Sequence, residues 1–224
     1  MKNQHFLIIE DRPNEAAIAR QTATSLGIET RLAPDFNSAL NEIKSFRPLA
    51  IASDLFFPSG GINQEPYVQQ ILPIYEAHLQ TFKPITDGPL FLALEFVLGG
   101  NKDKTKEELW NEFIRPVFLK DWSEDGIEEV KDAHFEIQFY SRYEKLQKHI
   151  EGIKQGTEMP YGLFAVQEAE RLGIPVHIVT STNHHDISFE PIRGLITCNY
   201  TDNLVDGHKD WARAFEHLSQ KLKI

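Results

Sequence analysis

Strand-like and helix-like segments alternate so regularly in the first third of this chain that few architectures accommodate them. Phe6–Glu10 reads as an apolar strand, Pro13 to Leu26 as a helix, Thr30–Leu32 as a short strand, Asp35 to Phe46 as a second helix and Leu49–Ser53 as a third strand. Alternation of this kind predicts a parallel sheet with crossover helices. The helix ends carry agreeing signals: Asp11 or Asn14 can cap the first helix, Gly27 stops it, and Asp35 is placed to cap the second.

After Pro58 the alternation breaks. Ser59-Gly60-Gly61 opens a stretch with Pro66, Pro73, Pro84 and Pro89 that no single regular element can hold. From Thr105 the pattern turns helical, with Leu109, Phe113 and Val117 on one face, and a charged helix is predicted from about Glu124 to Lys154. The strand–helix alternation resumes at Pro160-Tyr161-Gly162 with a helix to Leu172, a stop at Gly173 and the strand Pro175–Thr180. A strand Gly194–Cys198 follows, then an amphipathic helix near Asp210–Lys221 that sets Trp211, Phe215 and Leu218 on one face. The predicted class is α/β: a flavodoxin-like, doubly wound parallel sheet of five strands in the order 2-1-3-4-5, with a mainly helical insertion between the third strand and the third helix. Residues 1–58 and 159–224 then form one discontinuous body, and 59–158 the inserted subdomain. The insertion's aromatics, among them Phe91, Phe96, Trp110, Trp122 and Phe139, are expected to form its own core and its contact with that body. Leaving the body beside Asp54, it can serve as a lid, a partner surface or a dimer arm.

Bulk properties narrow the function. A formal net charge of −10 opposes nucleic-acid binding, which depends on Lys and Arg neutralising phosphates. The N-terminus enters a strand without a long apolar leader, and no run approaches the roughly 18 apolar residues of a membrane span. One cysteine, Cys198, cannot form an intramolecular disulfide, in keeping with a reducing compartment. These features predict a cytoplasmic protein acting through protein partners.

The chemistry-bearing residues gather at strand ends. Glu10-Asp11 closes the first strand, Asp54 the third and Thr180-Ser181 the fourth, and in open α/β sheets ligands bind outside the carboxyl ends of the strands. Magnesium takes oxygen ligands, often one or two carboxylates with waters and a phosphate, and Glu10, Asp11 and Asp54 can supply them. A carboxylate such as Asp54 can attack a phosphoryl donor and carry an acyl phosphate, with the Thr180 hydroxyl donating to the bound group. The same acids also suit strand-end positions that merely cap the following helices in solvent. His184-His185-Asp186 follows the fourth strand at the same edge, as an accessory metal or pH-sensitive site or as ordinary polar loop. Cys198 reads as a small buried hydrophobe more readily than as a reactive thiol. No glycine-rich phosphate loop is present, and no organic cofactor is indicated.

Glu10-Asp11, Asp54 with Pro58 four residues on, Gly162 after Met159-Pro160, and Thr180 together resemble the response-regulator receiver family over a little more than half of the chain. The resemblance implies a phosphoacceptor at Asp54, a magnesium site completed by the Phe56 backbone carbonyl, an upstream kinase, and an effector that reads the phosphorylated surface. The chain departs from the family in its fifth strand, where Gly194-Leu-Ile-Thr-Cys198-Asn199-Tyr200 puts cysteine in the place of the family's lysine. Lys209 and Arg193 are the cations nearby in sequence that can substitute. Two rivals remain open. A haloacid-dehalogenase-like phosphatase would use Asp54 as nucleophile and the insertion as cap, although Phe56 stands where that family has a second acid. A pseudo-receiver would keep the fold as a binding module without phosphotransfer. A homodimer is compatible with each.

Overall fold

The computed structural model describes residues 5–82 and 141–223. Compact packing divides the chain into two units, Met1–Tyr75 with His149–Ile224, and Glu76–Lys148. The first holds a five-stranded sheet ordered β2-β1-β3-β4-β5. Its strands are β1 (Phe6–Ile9), β2 (Thr30–Ala33), β3 (Ala50–Ser53), β4 (Val176–Val179) and β5 (Asn199–Thr201), every neighbouring pair running parallel. The predicted α/β class and the 2-1-3-4-5 order are therefore present.

The central strands read as unbroken apolar runs because both of their faces are covered. Phe6, Ile8, Ala50 and Ala52 meet Ala19 and Ala23 of α1 (Pro13–Ser25), and Trp211, Phe215 and Leu218 of the closing helix Trp211–Leu222. Alternation along the strands turns Leu7, Ile9 and Ile51 to the opposite face. There α2 (Phe36–Phe46) packs beside the helix Tyr161–Arg171, and the rings of Phe36 and Tyr161 stack with centroids 4.8 Å apart. Between β3 and that helix lies α3 (Glu65–Gln80), with Tyr67 edge-on to Phe36 at 5.1 Å. Tyr161–Arg171 is labelled α4 and Trp211–Leu222 α5.

Asp35 caps α2 as expected, accepting from the Ser38 N–H at 2.8 Å. The start of α1 differs from expectation. Its N-cap is Arg12, with Pro13 at the first position and no side-chain cap, so neither Asp11 nor Asn14 plays that part. The Arg12 N–H donates instead to Glu10 Oε1 at 3.0 Å, and Pro13 has no N–H to satisfy.

The fifth strand is also displaced. Gly194–Cys198 is not a strand of the sheet: a 3-10 helix occupies Glu190–Leu195, with Pro191 in its first turn and Ile192 buried, and pairing to β4 begins only at Asn199. The fixed φ of proline suits a helical first turn, and the Ile192 side chain is buried by it. After β5 a two-stranded ribbon follows, β6 (Leu204–Val205) and β7 (His208–Lys209), turning through Asp206 and Gly207 with φ of 52° and 80°. Two successive positive φ values are what a tight hairpin turn needs, and Asp-Gly supplies them.

Residues 141–155 are helical, so the end of the predicted charged helix is present; its start, the predicted helix from Thr105, Pro84, Pro89 and the insertion aromatics from Phe91 to Tyr140 lie outside the described residues. Among the described residues, no helix is long and apolar enough to cross a membrane.

Candidate functional site

The β1–α1 loop brings Glu10 to the carboxyl edge of the sheet and the β3 end brings Asp54 beside it. Both are buried, whereas Asp11 between strand and helix is exposed. The Asp54 N–H donates to the Ile9 carbonyl at 2.8 Å, which ties the ends of the two strands together. One carboxylate oxygen from each of Glu10, Asp11 and Asp54 lies within 4.8 Å of the others.

The cation of this site comes from the ribbon. Lys209, with no side-chain exposure, donates from Nζ to Glu10 Oε2 and lies 2.7 Å from Asp54 Oδ2. The remaining oxygens are also occupied: Asp54 Oδ1 accepts from the Leu55 N–H at 2.7 Å, and Glu10 Oε1 from Arg12. Two buried carboxylates thus share one ammonium. Burial raises the Glu10 carboxyl above its ordinary range and the neighbouring Asp54 charge raises it further, against the pull of Lys209. Burial raises Asp54 in the same way, with Lys209 again opposing.

Thr180 is buried at the end of β4, and its hydroxyl accepts from the Thr182 N–H at 3.1 Å. Ser181 accepts from the Arg12 guanidinium at 3.3 Å, linking the β4 end to the loop that carries Glu10. Gly162, at the start of α4, donates its N–H to the Leu55 carbonyl at 3.0 Å. A Cβ there would lie 2.4 Å from the Asp54 carbonyl oxygen, so only glycine permits this approach. Phe56 and Asp11 line a cavity of about 450 Å³ together with Pro58, His149, Glu158 and Thr182.

The other candidates are committed elsewhere. His184 gives both its N–H, at 2.8 Å, and its ring nitrogen, at 2.5 Å, to Asp202, while the exposed His185 ring lies 3.9 Å from the His184 ring. Cys198 is half-buried, and burial pushes its thiol up to about 11, so it stays protonated near neutrality. Arg193 is exposed on the 3-10 helix.

Glu15, Arg12 and Asp202 were not visible as site residues from sequence. Lys209 was visible only as a nearby cation. The signal that places it is Asp206-Gly207 between Leu204-Val205 and His208-Lys209, a hairpin pattern that returns the chain toward the sheet edge.

No protein-family model matches the chain, and no solved structure matches it. Fold and site together define an α/β protein of flavodoxin-like strand order with an acid–lysine cluster at the carboxyl edge of its sheet.

Proposed function

We propose that this protein is a receiver-like regulatory module in which Asp54 accepts a phosphoryl group. The observation that carries the reading is the Lys209 ammonium lying against both Glu10 and Asp54. It supplies, from the ribbon, the cation that the fifth strand lacks. A carboxylate oxygen of Asp54 attacks the phosphorus of a donor, the new P–O bond forms as the donor's bond to its leaving group breaks, and that group departs with the electron pair. Lys209 then pairs with the phosphoryl oxygens, and the Thr180 hydroxyl donates to them.

A magnesium ion fits the donor set, since the cluster offers only oxygen ligands and its three carboxylates exceed the Lys209 ammonium and the Arg12 guanidinium by one formal negative charge. Glu10, Asp11, Asp54 and the Phe56 carbonyl would hold it, and when bound it would neutralise charge on the incoming phosphoryl oxygens. Output passes to protein partners, a kinase upstream and an effector downstream, with residues 59–158 as the surface for partner or self-association.

Intact-mass analysis of wild type and Asp54→Ala, after incubation with magnesium and acetyl phosphate, tests the proposal. The expected result is an alkali-labile phosphoryl adduct on wild type alone. Repeated turnover of a phosphomonoester would favour the phosphatase instead, and the lack of both adduct and turnover would sink phosphotransfer and leave a binding module.

A further inference from the structure

The lysine that completes the site reaches it on an element with little to hold it. The β6–β7 ribbon has two residues in each strand, and Leu204 and Val205 are half exposed, so neither ladder nor core fixes its position. A two-stranded hairpin of this size is marginal in water. Yet Lys209 is fully enclosed.

What holds the ribbon's end is Glu15, on the first turn of α1 and itself buried. Its Oε2 accepts from the Lys209 backbone N–H at 3.3 Å and from the Trp211 indole N–H at 3.1 Å, and its Oε1 meets His208 Nδ1 at 3.0 Å. One carboxylate therefore gathers three groups within a span of four residues, with Lys209 inside it. Burial alone would raise the Glu15 carboxyl, and these donors more than reverse it, so Glu15 is an anion at neutral pH. Glu10 and Glu15 lie five residues apart on one loop–helix junction: the first holds the tip of the Lys209 side chain, the second holds its backbone.

From this arrangement we infer that Glu15 is the positioning residue of the site: its carboxylate fixes the Lys209 backbone so that the ammonium is delivered between Glu10 and Asp54. Trp211 cannot do this alone, because its ring anchors α5 in the core downstream of Lys209 while the ribbon upstream is exposed. The ring also lies 5.6 Å from Lys209 Nζ, within cation–π range. The inference concerns the site of the proposed phosphoacceptor, but its test reads the lysine itself and so stands apart from whether Asp54 takes a phosphoryl group.

The experiment is competitive acylation of lysine amines with an isotope-coded anhydride, read peptide by peptide by mass spectrometry, on the whole chain. Lys44, whose side chain is 56 % exposed, serves as internal reference. In wild type Lys209 should react far more slowly than Lys44. In Glu15→Gln, where an amide replaces acceptor oxygen with a donor NH2, Lys209 reactivity relative to Lys44 should rise about tenfold or more, the scale expected for loss of hydrogen bonds to a charged acceptor. Leu218→Ala, which weakens the buried core of α5 and leaves Glu15 intact, controls for general loosening. Matched for thermal midpoint, it should leave Lys209 protected. Protection of Lys209 in Glu15→Gln equal to wild type, or an equal rise in Leu218→Ala, overturns the inference.

Discussion

Ionising Asp54 costs the fold. Its carboxyl is raised above the ordinary value of 3.8, chiefly by burial. A raised carboxyl binds more protons in the folded state, so its contribution favours the fold at low pH and is lost as pH rises from the ordinary value through the raised one. Asp54→Asn removes that titration and leaves Lys209 paired with Glu10 alone. We expect it to stabilise the fold at pH 7, seen as a higher Tm than wild type. The gain should vanish as the pH approaches the ordinary carboxylate range, where Asp54 is protonated in both states. Melting curves across that pH range check it, and a variant less stable than wild type at pH 7 would show that the Lys209 pair outweighs burial.

Among the elements, α4 starts against the Asp54 backbone. Its second residue, Gly162, meets backbone on both sides, with the Asp54 oxygen and Leu55 Cα at 2.4 and 2.9 Å from a notional Cβ. Neither neighbour is a flexible side-chain end, so Gly162→Ala must push α4 from β3. The expected cost is about 1–3 kcal/mol, seen as a lower Tm, together with slower adduct formation at Asp54. An alanine variant that melts with wild type would mean that α4 yields without strain. Such close approaches were legible in sequence only as a glycine near a helix start. The sheet itself was readable because apolar runs, caps and alternation agreed along β1 to β3. The fifth strand was misplaced because the run Leu195-Ile196 looks extended by composition, whereas Pro191 and the burial of Ile192 draw its beginning into a 3-10 turn. The three acids could be read from strand ends. Lys209 could not be assigned, since its place depends on a hairpin and on Glu15, which are contacts across 194 residues for Lys209 N–H alone.

For the molecule as a whole, buried histidines contribute to the response to acid. His177 in β4 is held at about 4, against an ordinary 6.5, by burial and then by the charges of His217 and Arg213. His149 and His5 are lowered too, both chiefly by burial. A lowered imidazole is neutral in the fold while the unfolded chain takes the proton, so its contribution is complete above pH 6.5 and is lost as pH falls toward about 4. For His177 that loss is on the order of 3 kcal/mol, opposite in sign to the trend at Asp54. His177→Gln, which can still hydrogen-bond Thr201, should flatten the fall in Tm between pH 6.5 and 5; an unchanged slope would place the acid sensitivity in other groups. The ribbon has a different consequence. The side-chain contacts that fix Lys209 run from His208, Lys209 and Trp211, all on the C-terminal side of the turn, to Glu15 and the two buried acids. The turn at Asp206-Gly207 is therefore a splice point: a tag or reporter peptide inserted there lengthens the route from β5 without lengthening any link between the lysine and its carboxylates.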